Sequence, residues 1–557
     1  MPATPQPSTP SAVPSPTPSA LASRLSSPVL CLALLVATLV GSAPGLAQHM
    51  GPGSAGDQGS GETPLEAEAA KWQVRKELVD EVQSVTEHEI EIDGETVPYT
   101  ATAGNLLLTA EDGKPKGSIF YVAYTRSDVD DPADRPVTFS FNGGPGAASV
   151  WVHLGAFGPK KAHLDPEGFP DGPPPGYLED NPYSVLDATD LVFVDPISTG
   201  YSRPAPGEDA GQFHGFRHDV ESVGELIRLW LTRNGRWSSP KLLAGESYGT
   251  TRSAGLVGHL QERYGMYFNG VALISSVLNW QTQIFATGND LPYVNYLPSY
   301  AAAAWYHGKL SERLSGDLRA TLDEVEEFAR GEYATALMMG RDLPADERDR
   351  IAARVAEYTG LSEEYVKQSN LRIVDQRFYK ELLRDERKTL GRLDSRFTGR
   401  DRDAAGETFE FDPAGAVVDA YYVSLLNDYL RTELGLESDL PFRHLAREVW
   451  PWNYHPGTFR ETWTNKYLDV AETLRRAMTE NPSLQVLVMS GYYDFATPYF
   501  ASDYTVDHME LEPEIADNLR VAYYEAGHMM YIREEDHAKF RRDFLELLER
   551  ATGQPAP

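Results

Sequence analysis

Apolar and polar positions alternate along the first ordered-looking part of the chain. Residues 88–92 (HEIEI) lead into an Asp93-Gly94 turn, and the same texture continues through 97–102, 105–109 and 118–125. A period of two punctuated by an Asp-Gly turn predicts antiparallel hairpins. A short helical pattern precedes them over 65–82. From residue 137 the pattern changes. Short, almost wholly apolar runs appear at 137–141, 191–195, 241–244, 271–276, 486–490 and 520–524, separated by stretches with helical spacing such as 220–231 and 250–263. Strands without a polar face must be covered on both sides, so this alternation predicts an α/β fold with a mostly parallel central sheet. Residues 281–450 interrupt the rhythm with charged helical segments at 310–333 and 345–358. They read as a mainly helical insertion, and no internal repeat is visible.

The extreme N-terminus has a different character. Residues 29–40 (VLCLALLVATLV) follow a lone basic residue, Arg24, and Gly45-Leu46-Ala47 offers a small-residue cleavage site before Gln48. This is the layout of an export signal, and its apolar run is too short to span about 30 Å of hydrocarbon. The expected organisation is a signal with a Pro/Ser-rich leader at 1–47 and a flexible Gly/Ser linker at 48–62. The core would occupy 63–280 and 451–557, with the helical cap at 281–450. The mature protein is expected to be exported, periplasmic or extracellular, with no membrane association.

Composition narrows the function. Of 557 residues, 41% are hydrophobic, enough for a sizeable core. The formal charge of −32 disfavours binding to phosphate-rich nucleic acid. The single cysteine, Cys31, lies inside the export signal. Disulfides, thiolate metal sites and a cysteine nucleophile are therefore not expected in the mature chain. No H-E-x-x-H, Walker A loop or dinucleotide fingerprint occurs, so neither a metal nor a cofactor is expected. The acidic cluster at 128–134 reads as solvated loop charge.

Gly245-Glu246-Ser247-Tyr248-Gly249 fits G-x-S-x-G, with an apolar strand before it and a helical segment after it. That context forces a sharp strand-to-helix reversal, which exposes the serine oxygen on strained backbone. The same residues also fit an inert turn. A serine needs a base to take its proton, and the matching order along the chain is Ser, Asp, His. Asp494 follows the run 486–490, and His528 follows 520–524, so both are expected at strand ends. Asn142-Gly143-Gly144-Pro145-Gly146 also follows a strand, and glycines there let backbone N–H groups approach a substrate oxygen. The N–H of Tyr248 would complete such an oxyanion hole.

Five motifs occur in one order: NGGPG at 142–146, NPYS at 181–184, GESYG at 245–249, G-x-x-D-F at 491–495 and GHM at 527–529. In these the chain resembles the serine carboxypeptidases, which are α/β-hydrolases. The resemblance implies Ser247 as nucleophile, His528 as general base and then acid, and Asp494 as its orienter. It implies an oxyanion hole from Gly144 and Tyr248, and recognition of a peptide's terminal carboxylate by Asn142, Gly143 and Glu246. The implied function is an exported serine peptidase acting from the C-terminus of peptide substrates. Two departures stand out. Ala147-Ala148-Ser149 replaces the family's Cys-Ser-Ser, and the second carboxylate-binding glutamate falls at Ala156. Without a carboxyl neighbour, Glu246 is not expected to hold a raised pKa. An esterase, acyltransferase or other peptidase on the same triad is therefore the alternative. The missing disulfides imply a bacterial branch.

Overall fold

A computed structural model describes residues 78–455 and 467–555. The expected export signal, the expected linker and most of the 65–82 helical pattern lie outside the described residues. The few described residues of that pattern precede a strand and do not form an α-helix.

The hairpins form as the alternation predicts, but the segments 97–102 and 105–109 are one strand. β1 (Gln83–Ile92), β2 (Glu95–Thr109) and β3 (Pro115–Arg126) pair antiparallel. The dipeptide Ala103-Gly104 sits inside β2 paired with Val122 and Tyr121, which explains why it does not break the strand. Next come β4 (Val137–Phe141), β5 (Asp190–Val194), β6 (Lys241–Glu246), β7 (Gly270–Ile274), β8 (Gln485–Gly491) and β9 (Leu519–Tyr524). They complete a ten-stranded sheet with the path β1-β2-β3-β5-β4-β6-β7-β8-β9; a two-residue strand, Arg203–Pro204, pairs with β3 beside it. From β5 to β9 every pairing is parallel.

Alternate residues of the central strands go to opposite faces. Ala244, Ala272, Leu487 and Met489 join one core, while Leu243, Val271, Leu273, Val486 and Val488 join another. Both faces are buried, as the continuous apolar runs require. Helix α1 (Phe216–Arg233) buries Val220, Val223, Leu226, Ile227 and Trp230, and packs beside α2 (Tyr248–Tyr264).

The insertion is largely helical: α3 (Leu291–Tyr306), α4 (Leu318–Phe328), α5 (Ala345–Thr359) and α6 (Pro413–Thr432). Helix α4 is shorter than the 310–333 pattern because Asp317 caps it at the start, accepting from Ala320 N at 2.8 Å, and a π-helical turn follows at Ala329–Tyr333. Helices α3, α4 and α5 share their own core, which also takes in Tyr492, Tyr493, Phe495 and Tyr499 after β8, whereas α6 buries Val418, Tyr422, Leu426 and Leu430 in the core on one face of the sheet. After the insertion, α7 (Ala471–Glu480) packs on α2, and α8 (Glu534–Thr552) follows β9 against the sheet. Among the described residues no helix is long and apolar enough to cross a membrane.

Candidate active site

Strand β6 ends at Glu246, and Ser247 reverses the chain directly into α2 with φ 62° and ψ −129°. A positive φ at a non-glycine residue is strained and persists only where the surroundings enforce it. Here the Ser247 N–H donates to Ile274 O at 2.9 Å, while its carbonyl accepts from Thr250 N at 2.9 Å and Thr250 Oγ1 at 2.7 Å. The NGGPG loop lies against this turn. A Cβ at Gly143 would come within 2.4 Å of the Tyr248 nitrogen, so only glycine permits the approach. The N–H of Tyr248 opens α2 and has no acceptor one helical turn back. Gly144, on the facing loop, lines the same cavity as Ser247.

A buried pair that sequence reasoning did not flag supports the turn from below. Arg252 Nε donates to Asp219 Oδ2 at 2.8 Å, its second nitrogen donates to Asn142 O at 2.8 Å, and the Tyr248 hydroxyl donates to the same carboxylate at 3.1 Å. The guanidinium also lies over the Phe141 and Tyr248 rings, 5.0 and 5.2 Å from their centroids. One cation thus ties the NGGPG strand, the serine turn and α1 together. No local sequence pattern announces it.

Asp494 and His528 come together at the ends of β8 and β9. His528 Nδ1 lies 2.7 Å from Asp494 Oδ2, and both side chains are buried. Asp494 also accepts from Ala496 N at 2.7 Å, Thr497 N at 3.0 Å and Thr497 Oγ1 at 2.6 Å. The aspartate thus caps its own turn and faces the ring at once. Thr497, three residues on, went unremarked in the sequence, although Asp-x-x-Thr is a side-chain-capped turn signal. Burial pulls the His528 pKa down, but the charge and hydrogen bond of Asp494, helped by Glu246, outweigh it and leave the imidazole above its usual value. With Nδ1 bound to the carboxylate, the neutral ring carries its lone pair on Nε2.

The insertion reaches into this region. Leu393 O accepts from His528 N at 2.6 Å, Arg392 O accepts from Phe495 N at 3.1 Å, and Ser395 N donates to Tyr493 O at 2.9 Å. Asp394 Oδ2 accepts from Gly527 N at 3.0 Å and pairs with the buried Arg396 at 2.7 Å. Residues 392–396 therefore clasp both the aspartate loop and the histidine loop. Nothing in the stretch RLDSR marks it as such.

Ser247, His528, Asn142, Gly143, Gly144 and Glu246 all line one cavity of about 510 Å³, walled on the insertion side by Arg392, Asp412, Asp419 and Arg447. Glu246 is buried at its floor. Its Oε1 accepts from Asn142 Nδ2 at 2.7 Å and its Oε2 from the Tyr531 hydroxyl at 2.6 Å. Burial pushes its pKa up to about 7. This corrects the expectation from Ala156. That alanine is buried in the core and brings no carboxyl, yet desolvation, with a smaller push from the charge of Asp494, raises Glu246. NPYS proves to be structural: Asn181 Nδ2 donates to Gly158 O at 2.9 Å and Ser184 Oγ to Phe157 O at 2.7 Å, fixing the π-helical turn Val152–Phe157.

A serine on a strained turn and an imidazole paired with a buried carboxylate, both lining one cavity, are parts that acyl transfer can use. Comparisons with known proteins show what the chain is similar to. The chain is 31% identical over 158 residues to the pheromone-processing carboxypeptidase KEX1 of Saccharomyces cerevisiae, covering 26% of this chain and 20% of that protein. It is 28% identical over 211 residues to the serine carboxypeptidase-like 44 protein of Arabidopsis thaliana, covering 36% of this chain and 39% of that one. These alignments thus span well under half of either relative. The crystal structure of a yeast KEX1 fragment superposes with a TM-score of 0.49 at 15% identity, covering 82% of this chain and 91% of that one. The profile of the serine carboxypeptidases matches residues 94–541, and on that match the chain belongs to the serine carboxypeptidase family.

Proposed function

We propose that the protein is an exported serine peptidase that removes residues from the C-terminus of peptides through an acyl-enzyme. Ser247 Oγ attacks the scissile carbonyl while His528 Nε2 takes its proton. Asp494 holds the ring in the matching tautomer and stabilises the imidazolium. The Gly144 and Tyr248 N–H groups receive the oxyanion. The imidazolium then protonates the leaving amine, and a water activated by His528 releases the acyl group. Asn142, Gly143 and Glu246 would receive the substrate's terminal carboxylate. Export rests on the signal pattern at 29–47, with the mature chain beginning near Gln48.

The observation that carries this reading is the 2.7 Å contact of Asp494 with the Nδ1 of His528, which lines one cavity with Ser247 and Glu246. A second reading, an esterase or other acyl-transfer enzyme on the same residues, is favoured by Ala156, which supplies no second carboxyl. Hydrolysis of a blocked dipeptide with a free C-terminus, compared with its amide and its ester, separates them. Preference for the free acid is expected; equal rates on acid and amide would remove the carboxypeptidase reading. Labelling by a fluorophosphonate, lost in Ser247→Ala, tests the nucleophile independently.

A further inference from the structure

We propose that Tyr531 is the positioning residue for carboxylate recognition, holding Glu246 by a phenolic hydrogen bond where a second carboxyl would otherwise stand. This rests on the carboxypeptidase reading above. The geometry is closed on every side. Asn142 Oδ1 accepts from the N–H groups of Trp151 and Val152, each at 3.1 Å, which fixes its amide and turns Nδ2 toward Glu246 Oε1 at 2.7 Å. Tyr531 binds the other oxygen at 2.6 Å. Each carboxyl oxygen thus has one side-chain donor, which leaves the carboxyl capacity for one further partner in the cavity.

The room for the phenol is built in. A Cβ at Gly155 would lie 2.4 Å from the Tyr531 ring and 3.2 Å from that of Tyr422. The turn carrying Gly155 cannot close over this space, because Ala156 O is held by His537 Nε2 at 2.9 Å as well as by Asn181. Tyr531 lies three residues after His528, so one loop carries both the candidate base and the group that orients Glu246.

The titratable groups facing Glu246 are His528, Asp494, Tyr531 and Tyr422. Burial holds both phenols well above their usual range, so Tyr531 remains a donor throughout the working pH range. Two interacting carboxyls would lose their protons in two coupled steps, whereas a carboxyl paired with a phenol loses one. Neutral Glu246 donates to a substrate carboxylate, and ionised Glu246 repels it. Affinity for free-acid peptides is therefore governed by one proton, lost near pH 7.

The test measures KM and kcat for a blocked dipeptide acid and its ester between about pH 5 and 9. In the wild type, KM for the acid should rise through a single proton step, and Glu246→Gln should abolish that step. Tyr531→Phe should raise KM for the acid about tenfold and lower the acid-to-ester ratio to match, the scale of one hydrogen bond. It should also move the alkaline rise to higher pH, because the phenol's donation favours the charged carboxylate. A general packing defect would not shift that midpoint. A wild type with no preference for the acid overturns the carboxypeptidase reading and this proposal with it. A wild type that prefers the acid, with both ratio and midpoint unchanged in Tyr531→Phe, overturns the Tyr531 assignment alone. A step that persists in Glu246→Gln overturns it as well.

Discussion

The serine turn and the histidine loop meet in one cavity but are held by different means. Ser247 is fixed by its immediate surroundings: β6 before it, α2 after it, the NGGPG loop against it and the Arg252–Asp219 pair below. His528 depends in addition on the insertion: Ser275 Oγ, after β7, donates to its carbonyl at 2.7 Å, but the backbone of Leu393 and the carboxylate of Asp394, both from the insertion, bind the loop that carries it. The first arrangement rests mainly on the sheet and its helices, and the insertion touches it at the NGGPG loop, where Ala446 N donates to Gly146 O at 2.7 Å. The second is complete only when a segment more than a hundred residues earlier in the chain is in place. The difference predicts where chemistry and folding can be separated by mutation.

The largest effect should come from the self-contained side. Ser247→Ala should lower kcat by about 10⁶-fold, as loss of a triad nucleophile does, with the thermal melting curve unmoved. Gly143→Ala pushes a methyl group into the Tyr248 nitrogen and so displaces the proposed oxyanion donors. A loss of about 10²- to 10³-fold in kcat on a small ester is expected, the scale of one lost donor. Either variant acting at wild-type rate would break the nucleophile side of the comparison.

On the histidine side, Asp394→Ala should cost activity and stability together. It frees the loop at Gly527, where misplacement on the ångström scale is worth about 10²-fold, and strands Arg396 in the interior, at about 3–5 kcal/mol. Stopped assays and urea denaturation would measure the two losses. A stable but inactive Asp394→Ala would mean that the clasp acts on geometry alone.

The smallest effect concerns pH. The Glu246 pKa lies above its usual value, so its contribution to stability is complete below the ordinary carboxyl range and is lost as pH climbs through about 7. Glu246→Gln should therefore flatten part of the decline in melting temperature on the alkaline side. Asp195 and Asp503, also pushed up to about 7 by burial, should retain their share.

The same contrast explains what could be read from the sequence. The strands, the serine turn, the glycine loop and the positions of Asp494 and His528 are encoded within windows of a few residues, where periodicity and turn chemistry are explicit. The partners are not. Glu246 and Tyr531 are 285 positions apart, and Gly527 and Asp394 are 133 apart. A tyrosine after a histidine, or Asp-Ser-Arg in a loop, has no local signature of the contact it makes. The expectation for Glu246 failed for the same reason. Counting from NGGPG located the residue that is absent, Ala156, but could not locate the side chain that had moved in across the fold.

The clasp at 392–396 limits how this enzyme can be altered. A cap that only shaped the pocket could be exchanged for a relative's cap to retune which peptides enter. Here the exchanged piece would carry away the hydrogen bonds that align the proton-transfer machinery, so a graft must keep Leu393 and Asp394 in register or lose turnover along with the old preference. Selectivity and catalytic competence are mechanically linked through five consecutive residues.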